Sequence, residues 1–361
     1  MQTIFISTSM PGRARPDYFM ALAHSFTNKG YRVFMIIDGK PKNLPVNDDI
    51  IFLRWPNKRP TKLKDIQFLW KLIKKYKPFV LISSFGSVNV MNICGFFLKV
   101  KNRVNYILSV SEPFYEKTTN HKRLKRYFLK IRKHLVYKLA TLIIYNSRGT
   151  EIDSKSYFNL ENKEFLVLYN LVESTDIEYK LKEKRNNQIV IVGSLIKRKG
   201  HIFLLNQFKD TIKIFPELKL LIIGSGSEKQ NLLKEVKNLG LEKNVEFLGE
   251  VPNKEIDHYF SNSLISISAS KHEAFGFVNI EALREGTPVI STKTAGGLEI
   301  INNNINGCFF SLDVQNSLTK SIKKLMRDWE SYSENAKQSF DSYSMEKQID
   351  VHRGLLISKF R

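Results

Sequence analysis

Cysteine is nearly absent. The 361-residue chain has only Cys94 and Cys308, more than two hundred positions apart. Such a pair supports neither a disulfide framework nor a cysteine metal cluster, so a reducing compartment is expected. Acidic side chains are also scarce, 35 against 57 Lys and Arg, which leaves a net charge of +22. Long apolar runs are missing too. The longest uncharged stretch, 78–98, is diluted by three serines, two asparagines and two glycines. It reads as a buried strand over 79–83, a small-residue loop and a helix, not as a bilayer-spanning segment. Positions 1–9 are apolar but lack a basic leader, and Arg13 and Arg15 interrupt the next stretch, so no signal peptide is expected. Neither a short-period repeat nor a low-complexity tract is present.

What is present is globular composition, 42% hydrophobic and 25% charged, in a chain long enough for two domains. The positive charge is uneven: residues 1–180 carry 31 basic and 14 acidic side chains, the remainder 26 and 21. A basic half suits an anionic partner, whether lipid, nucleic acid or nucleotide, and charge alone does not choose among them.

Short β-branched runs alternate with helical patterns in both halves. In the first, strands are expected over 3–8, 31–37, 79–82, 103–110, 140–145 and 165–168, with a helix over 17–28. In the second they are expected over 188–192, 218–223, 245–248, 263–268 and 288–291. Strands separated by helices imply parallel sheets covered on both faces. The expected organisation is an amino-terminal domain over 1–170, a charged linker over 171–187, and a second domain over 188–343. An amphipathic helix over 344–361 comes last, free to pack back on the first domain. Ligands of such sheets bind at the carboxyl ends of the strands.

The most informative stretch is 270–290, Ser-Lys-His-Glu-Ala-Phe-Gly-Phe-Val-Asn-Ile-Glu-Ala-Leu-Arg-Glu-Gly-Thr-Pro-Val-Ile. Glu273 follows an apolar strand, 274–276 make a turn in which Gly276 lets backbone approach a ligand, and 277–284 read as a helix capped by Gly286. The helix start suits a phosphate or sugar hydroxyl, and Glu273 and Glu281 can accept from vicinal hydroxyls. Spacing alone carries nothing, because Glu242 and Glu250 stand equally far apart without that context. His272 reads as a loop surface residue, and His24 and His134 as packing or surface residues on helices.

This stretch resembles the E-x7-E signature of retaining glycosyltransferases of family 4, within glycosyl transferases group 1, which have the GT-B fold. Other segments agree in order. Residues 192–200 (Val-Gly-Ser-Leu-Ile-Lys-Arg-Lys-Gly) resemble the family's G-R-L-x-x-x-K-G segment, 221–227 and 245–252 its later strand ends, and 295–300 its final donor-side loop. Residues 169–173 are similar to the N-G-V-D that precedes its linker. The resemblance is specific over 188–307 and general elsewhere. It implies an α/β chain with two Rossmann-like doubly wound domains facing across a cleft.

It also implies roles. Glu273 would touch the hydroxyls of the transferred sugar beside the backbone of Phe275, Gly276 and Phe277, and Glu281 would hold the ribose. Lys199 would neutralise the departing diphosphate. Ser194, Arg198 and Gly224 would line the donor, Gly249 and Val251 its base, and Gly12 and Arg13 would approach it from the other domain. Such sites use no metal and no cofactor beyond the nucleotide-sugar co-substrate, and no Asp-x-Asp occurs in the chain. Two departures stand out. Ser194 replaces the family's usual Arg. Lys197, Arg198, Arg13 and Arg15 are the available replacements, although Lys197 and Arg198 equally suit solvated turn positions. The region where relatives carry an acceptor-side His reads Leu-Ser-Val-Ser-Glu-Pro over 108–113, so Glu112, with Arg15, is the acceptor-side candidate, or Glu112 merely caps a turn.

Residues 117–138 hold nine Lys or Arg and no acidic residue. Leu124, Tyr127, Phe128, Ile131 and Leu135 recur at helical spacing, with cations opposite. The helix either docks on the domain with a solvated basic side or lies on anionic lipid through Lys122, Arg123, Lys125, Arg126, Lys130, Arg132 and Lys133. Nucleic acid is not expected, because no recognised module accompanies the patch.

The expectation is therefore a retaining, metal-independent glycosyltransferase at the cytoplasmic membrane face. It would move a sugar from a nucleotide donor, UDP-sugar favoured over GDP-sugar, to a lipid-linked or polysaccharide acceptor. Rivals are another GT-B chemistry, such as a nucleotide-sugar epimerase or a sugar-phosphate transferase, and a non-catalytic binder of anionic membrane or polymer. A dinucleotide oxidoreductase fits less well, since Gly224-Ser-Gly226 lacks the third glycine of that fingerprint.

Overall fold

The computed structural model describes residues 1–8, 16–38, 50–109 and 120–361, without the side chains of 16–17 and 120–126. Gly12, Arg13, Arg15 and Glu112 lie outside the described residues, as do the side chains of Lys122, Arg123, Lys125 and Arg126. The chain divides into two compact units, 1–171 with 345–361, and 172–344.

The first unit contains β1 (Thr3–Thr8), α1 (Pro16–Thr27), β2 (Arg32–Ile37), β3 (Ile50–Arg54), α2 (Leu63–Tyr76), β4 (Val80–Ser84) and α3 (Val88–Phe97). It continues with β5 (Asn102–Ile107), α4 (Asn120–Lys138), β6 (Leu142–Tyr145), α5 (Arg148–Phe158) and β7 (Phe165–Val167). The strands form a parallel sheet in the order β3-β2-β1-β4-β5-β6-β7. Alternate residues feed opposite faces. Ile4, Ile6, Val33, Met35, Val80 and Ile82 enter one core, while Phe5, Phe34, Ile36 and Leu81 enter another. That is why these strands read as nearly unbroken apolar runs. The expected strand over 103–110 ends three residues early, at Ile107.

The second unit contains β8 (Asn186–Val192), α6 (His201–Thr211), β9 (Lys219–Ile223), α7 (Lys229–Leu239), β10 (Val245–Gly249), α8 (Asn253–Asn262) and β11 (Ser263–Ser268). After these come α9 (Phe277–Arg284), β12 (Val289–Ser291), α10 (Ala295–Ile300), β13 (Gly307–Phe309), α11 (Ser317–Arg327) and α12 (Trp329–Ser339). Its parallel sheet has the order β10-β9-β8-β11-β12-β13, so chain direction across the sheet reverses between β8 and β11. An open α/β sheet leaves a ligand crevice at the carboxyl ends beside such a reversal. Finally α13 (Met345–Ser358) belongs to the first unit, where Met345 and Leu356 join the core beside α1. No described helix is long and apolar enough to cross a membrane.

Residues 172–187, charged and poor in regular structure, run along the second unit. Arg185 anchors them. Its guanidinium donates to the carbonyls of Lys180 (3.1 Å), Ser263 (2.9 Å) and Glu285 (2.8 Å) and to Thr287 Oγ1 (2.7 Å), and lies 5.0 Å from the Trp329 ring. Burial is severe enough to bring even this group's pKa down to about 10. Carbonyls left without this donor are stranded in the interior, so Arg185→Met should cost about 3 kcal/mol of the second unit's stability. Arg185→Lys should restore only part of that, because an ammonium cannot reproduce the planar fork. Calorimetric unfolding checks both, and an unmoved midpoint for Arg185→Met would contradict the anchoring role.

Candidate active site

The carboxyl ends of β8, β9, β10 and β11 are joined backbone to backbone. Gly193 N–H donates to the Ile223 carbonyl (2.9 Å), Leu195 N–H to that of Ser225 (2.7 Å) and Gly224 N–H to that of Gly249 (2.7 Å). Lys271 N–H reaches the Arg198 carbonyl (2.8 Å), and Gly296 N–H that of Glu273 (2.9 Å). These approaches need glycine. A Cβ on Gly200, at φ +72°, would stand 1.9 Å from the Ala269 carbonyl oxygen, and one on Gly296 would stand 2.1 Å from that of Phe275.

The stitched loops bring two of the expected site residues together. A short turn at 197–199 presents Lys199, whose ammonium meets Glu273 Oε2 at 2.5 Å. Both side chains are largely shielded, at 21% exposure each. Gly276, at φ +92°, starts α9 and leaves room beside Glu273. A Cβ there would stand 3.5 Å from Glu273 Cγ and 3.0 Å from Asn279 Nδ2. That Asn279 amide nitrogen is buried without a hydrogen-bond partner. An orphaned donor beside a paired carboxylate fits a hydroxyl-rich or anionic ligand. Asn279 had no signal in the sequence beyond its place in the helix.

Glu281 stands one turn into α9. It makes no hydrogen bond or ion pair with Lys199 or Glu273, and belongs instead to a charge cluster. Arg284, one turn further on and buried, pairs with Asp257 and with Glu285 Oε1 (2.9 Å) and donates to the Glu173 carbonyl (2.8 Å). Burial pushes the Glu281 carboxyl up to about 7, with Arg284 pulling it down and Asp257 raising it further. Among described residues nothing hydrogen-bonds this carboxylate, so its acceptor oxygens are available. Arg284 was foreseeable as the i+3 neighbour of Glu281, whereas Asp257 comes from α8 and shares no linear pattern with it.

The remaining candidates sit on the rim. Ser194 and Arg198 are exposed, Gly224 and Val251 are half-buried, and Ser225 donates to Glu250 in the adjoining loop. Phe275 is buried edge-on against Phe277, their centroids 5.6 Å apart. Among the described residues, no three His, Cys, Asp or Glu side chains are grouped to hold a metal ion.

Comparison with known proteins bears on the family and the fold. Residues 173–340 match the family model described as Glycosyl transferases group 1. A Campylobacter jejuni N-acetylgalactosamine-N,N'-diacetylbacillosaminyl-diphospho-undecaprenol 4-alpha-N-acetylgalactosaminyltransferase is 30% identical over 63% of this chain and 66% of its own. A Bacillus subtilis poly(glycerol-phosphate) alpha-glucosyltransferase is 30% identical over 45% of this chain and 24% of its own. The chain spans only half to two thirds of the first three curated relatives it matches, 66%, 51% and 56%. Sucrose-phosphate synthase from Thermosynechococcus elongatus superposes with a TM-score of 0.77 at 16% identity, covering 99% of each chain. Anabaena HepE, solved with UDP and glucose, gives 0.74 at 17% identity, covering 99% of this chain and 100% of its own. These superpositions establish the two parallel-sheet, GT-B architecture.

The raised Glu281 carboxyl has a consequence for stability. Folded, it titrates near 7, against an ordinary value of 4.5. The native state therefore keeps a proton that the unfolded chain releases, and stability falls as pH rises from 4.5 through 7. Glu281→Gln should stabilise the second unit at pH 8 by up to about 2–3 kcal/mol. The gain should shrink as pH falls toward 5, which thermal melts of both proteins across that range would show.

Proposed function

We propose, from a carboxy-terminal unit that matches the model of glycosyl transferases group 1, that this chain is a retaining, metal-independent glycosyltransferase of family 4 type. The donor is a nucleotide-diphosphate sugar, UDP-sugar in preference to GDP-sugar, and the acceptor is a lipid-linked or polysaccharide glycan of the cell envelope. The carrying observation is the Lys199–Glu273 pair held at the start of α9 by loops that only glycine permits.

Cleaving a sugar–phosphate bond builds negative charge on the departing diphosphate, and a cation already fixed in place stabilises it without reorganisation. Lys199 is that cation. Glu273 holds it before the donor arrives and accepts from sugar hydroxyls afterwards. Glu281, with unoccupied acceptor oxygens, takes the ribose hydroxyls. Two hydroxyl donors favour its ionised form, so binding should release a proton near neutral pH. Lys197 and Arg198 are exposed cations available for the contact that Ser194 does not supply. Support for UDP comes from the structural neighbour solved with it, and support for a polyprenyl-linked acceptor from the Campylobacter relative. Two relatives are named for alpha transfer, which from an α-configured donor is retention.

The membrane reading rests on α4, whose described apolar stripe faces outward while other apolar residues of the helix dock it on the domain. Tyr127, Phe128 and Leu135 are exposed at 60%, 63% and 57%, whereas Val136 and Tyr137 are buried. Lys130 and Lys133, expected to face lipid, lie instead over the rings of Tyr157 (4.5 Å) and Phe158 (5.5 Å). Their stems cover apolar surface while their ammoniums gain from the rings. Arg132 stays exposed. An outward apolar stripe amid positive charge fits the headgroup boundary of an anionic bilayer. The proposed location is peripheral, on the cytoplasmic face of the cell membrane.

Thermal-shift screening against UDP-, GDP- and ADP-sugars, followed by transfer assays, tests the proposal. Glu281→Ala should weaken donor binding about tenfold or more, a loss of at least ~1.4 kcal/mol. Lys199→Met should lower kcat by about 10²–10³ with a smaller change in donor affinity, since its contact strengthens as charge develops. Normal transfer by both variants would refute the assignment. Free sugar-nucleotide products without acceptor would replace it with an epimerase.

A further inference from the structure

The first unit also carries a cationic pocket at the wrong end of its sheet for glycosyl transfer. It holds about 310 Å³ and lies where β5, β6 and β7 begin, whereas substrates of parallel α/β sheets sit where strands end. Its lining includes Phe96, Arg103, Lys138, Lys163 and Arg361, with Glu164 as the single acidic side chain.

The charges there do not balance. Glu164 is taken: Oε1 accepts from Lys359 at 2.7 Å and Oε2 faces Arg361 at 4.0 Å. Arg103, Lys138 and Lys163 pair with no carboxylate among the described residues. Arg103 Nε donates to the Leu139 carbonyl (2.7 Å) and Nη1 to that of Val100, which leaves Nη2 unengaged. Lys163 donates to the carbonyls of Lys138 (2.6 Å) and Ala140 (2.8 Å) and keeps one N–H. Lys138 supplies a third ammonium, exposed and making no side-chain hydrogen bond among the described residues.

A structural role explains part of this. The carbonyls of Lys138, Leu139 and Ala140 sit at the carboxyl end of α4, where a helix carries about half a negative charge. Half a charge does not offset three cations. Burial lowers the proton affinity of Arg103, and burial together with Arg103 and Lys138 lowers that of Lys163. Arg103 also lies 5.9 Å from the Phe96 ring, which orients its plane. The pocket volume is about ten times one water's share of liquid, ~30 Å³, so a substituted phosphate fits.

We propose that this pocket is a phosphate-ester site, with Arg103 Nη2, Lys163 and Lys138 donating to the phosphoryl oxygens and Arg361 closing the rim. Charge-assisted donors converging from three elements are the arrangement that recognises such a group. The ester belongs either to a lipid headgroup or to a soluble metabolite, and the chemistry at the pocket is the same. The site does not depend on the glycosyltransferase reading.

The test uses the full chain. Arg103 and Lys163 cap carbonyls and their loss could unfold the region, so the variant is Lys138→Gln/Arg361→Gln. Lys74→Gln/Lys101→Gln removes the same charge from a neighbouring concavity as a control. Titration calorimetry with sn-glycerol 3-phosphate probes the soluble source. Sedimentation with phosphatidylcholine vesicles, with and without phosphatidic acid, probes the headgroup. In at least one arm the pocket variant should bind about tenfold more weakly and the control within about twofold of wild type. Binding in the first arm assigns a soluble ester, and in the second alone a headgroup. No wild-type binding in either arm, or equal losses in both variants, overturns the site.

Discussion

A Cβ on Gly200 would fall 1.9 Å from the Ala269 carbonyl oxygen, and one on Gly224 would fall 2.1 Å from that of Gly193. The second unit is arranged around such approaches. Because side chains are missing at these points, the loops after four neighbouring strands hydrogen-bond to one another and fix where their polar groups sit. Lys199 lies one residue before Gly200, and Glu273 a few residues beyond Ala269, so the contact that joins the loops also sets the ion pair. Substituting any of these glycines would move backbone as well as side chain, which makes them determinants of geometry even though none donates a reacting group.

Beneath this surface the unit manages buried charge with two arginines. Arg185 satisfies carbonyls from the ends of α8 and α9, and Arg284 gathers Asp257 and Glu285 and faces Glu281. Arg284 attracts all three carboxylates, with Lys337 acting further on Glu285, and Glu281, to which no described residue donates, is the member whose carboxyl is pushed up to about 7. A carboxylate in that condition destabilises the resting fold when ionised and gains most from a ligand that donates hydroxyls. Asp257 and Glu285 are raised by burial for the same reason, but Arg284 hydrogen-bonds each of them.

Much of this was legible in the sequence where local and global signals agree. Helix α9 has the bounds read from Gly276 and Gly286, because both glycines take left-handed conformations that end regular structure. Most strands were legible because burial on two faces requires continuous apolar runs. The edge strands β3 and β13 were not, since β3 is only half covered and β13 is three residues long. Helix α2 was also missed, lying in a stretch dense in lysine. The polar support escaped for a different reason. Arg185 sits in a charged segment that composition assigns to solvent, and only the folded chain brings Lys180, Ser263, Glu285 and Thr287 around it. Periodicity likewise found the stripe on α4 without saying which side faces out.

That last ambiguity bears on the uneven charge. In a docked amphipathic helix the apolar stripe packs inward and the cations are solvated. On α4 the described stripe is exposed while Lys130 and Lys133 turn inward onto aromatic rings, so these two cations serve their own domain and Arg132 stays in solvent. Its carboxyl end then delivers Lys138 to a pocket that Arg103 and Lys163 already make positive. Positive charge in this unit is therefore both spread over a face and concentrated at the start of three strands. A spread charge attracts any polyanion, with strength that salt screens away, whereas convergent donors select a phosphate by its geometry. A basic half that only needed to be soluble, or only to be attracted to a surface, would have no reason to gather cations around one concavity where Arg103 and Lys163 are partly desolvated.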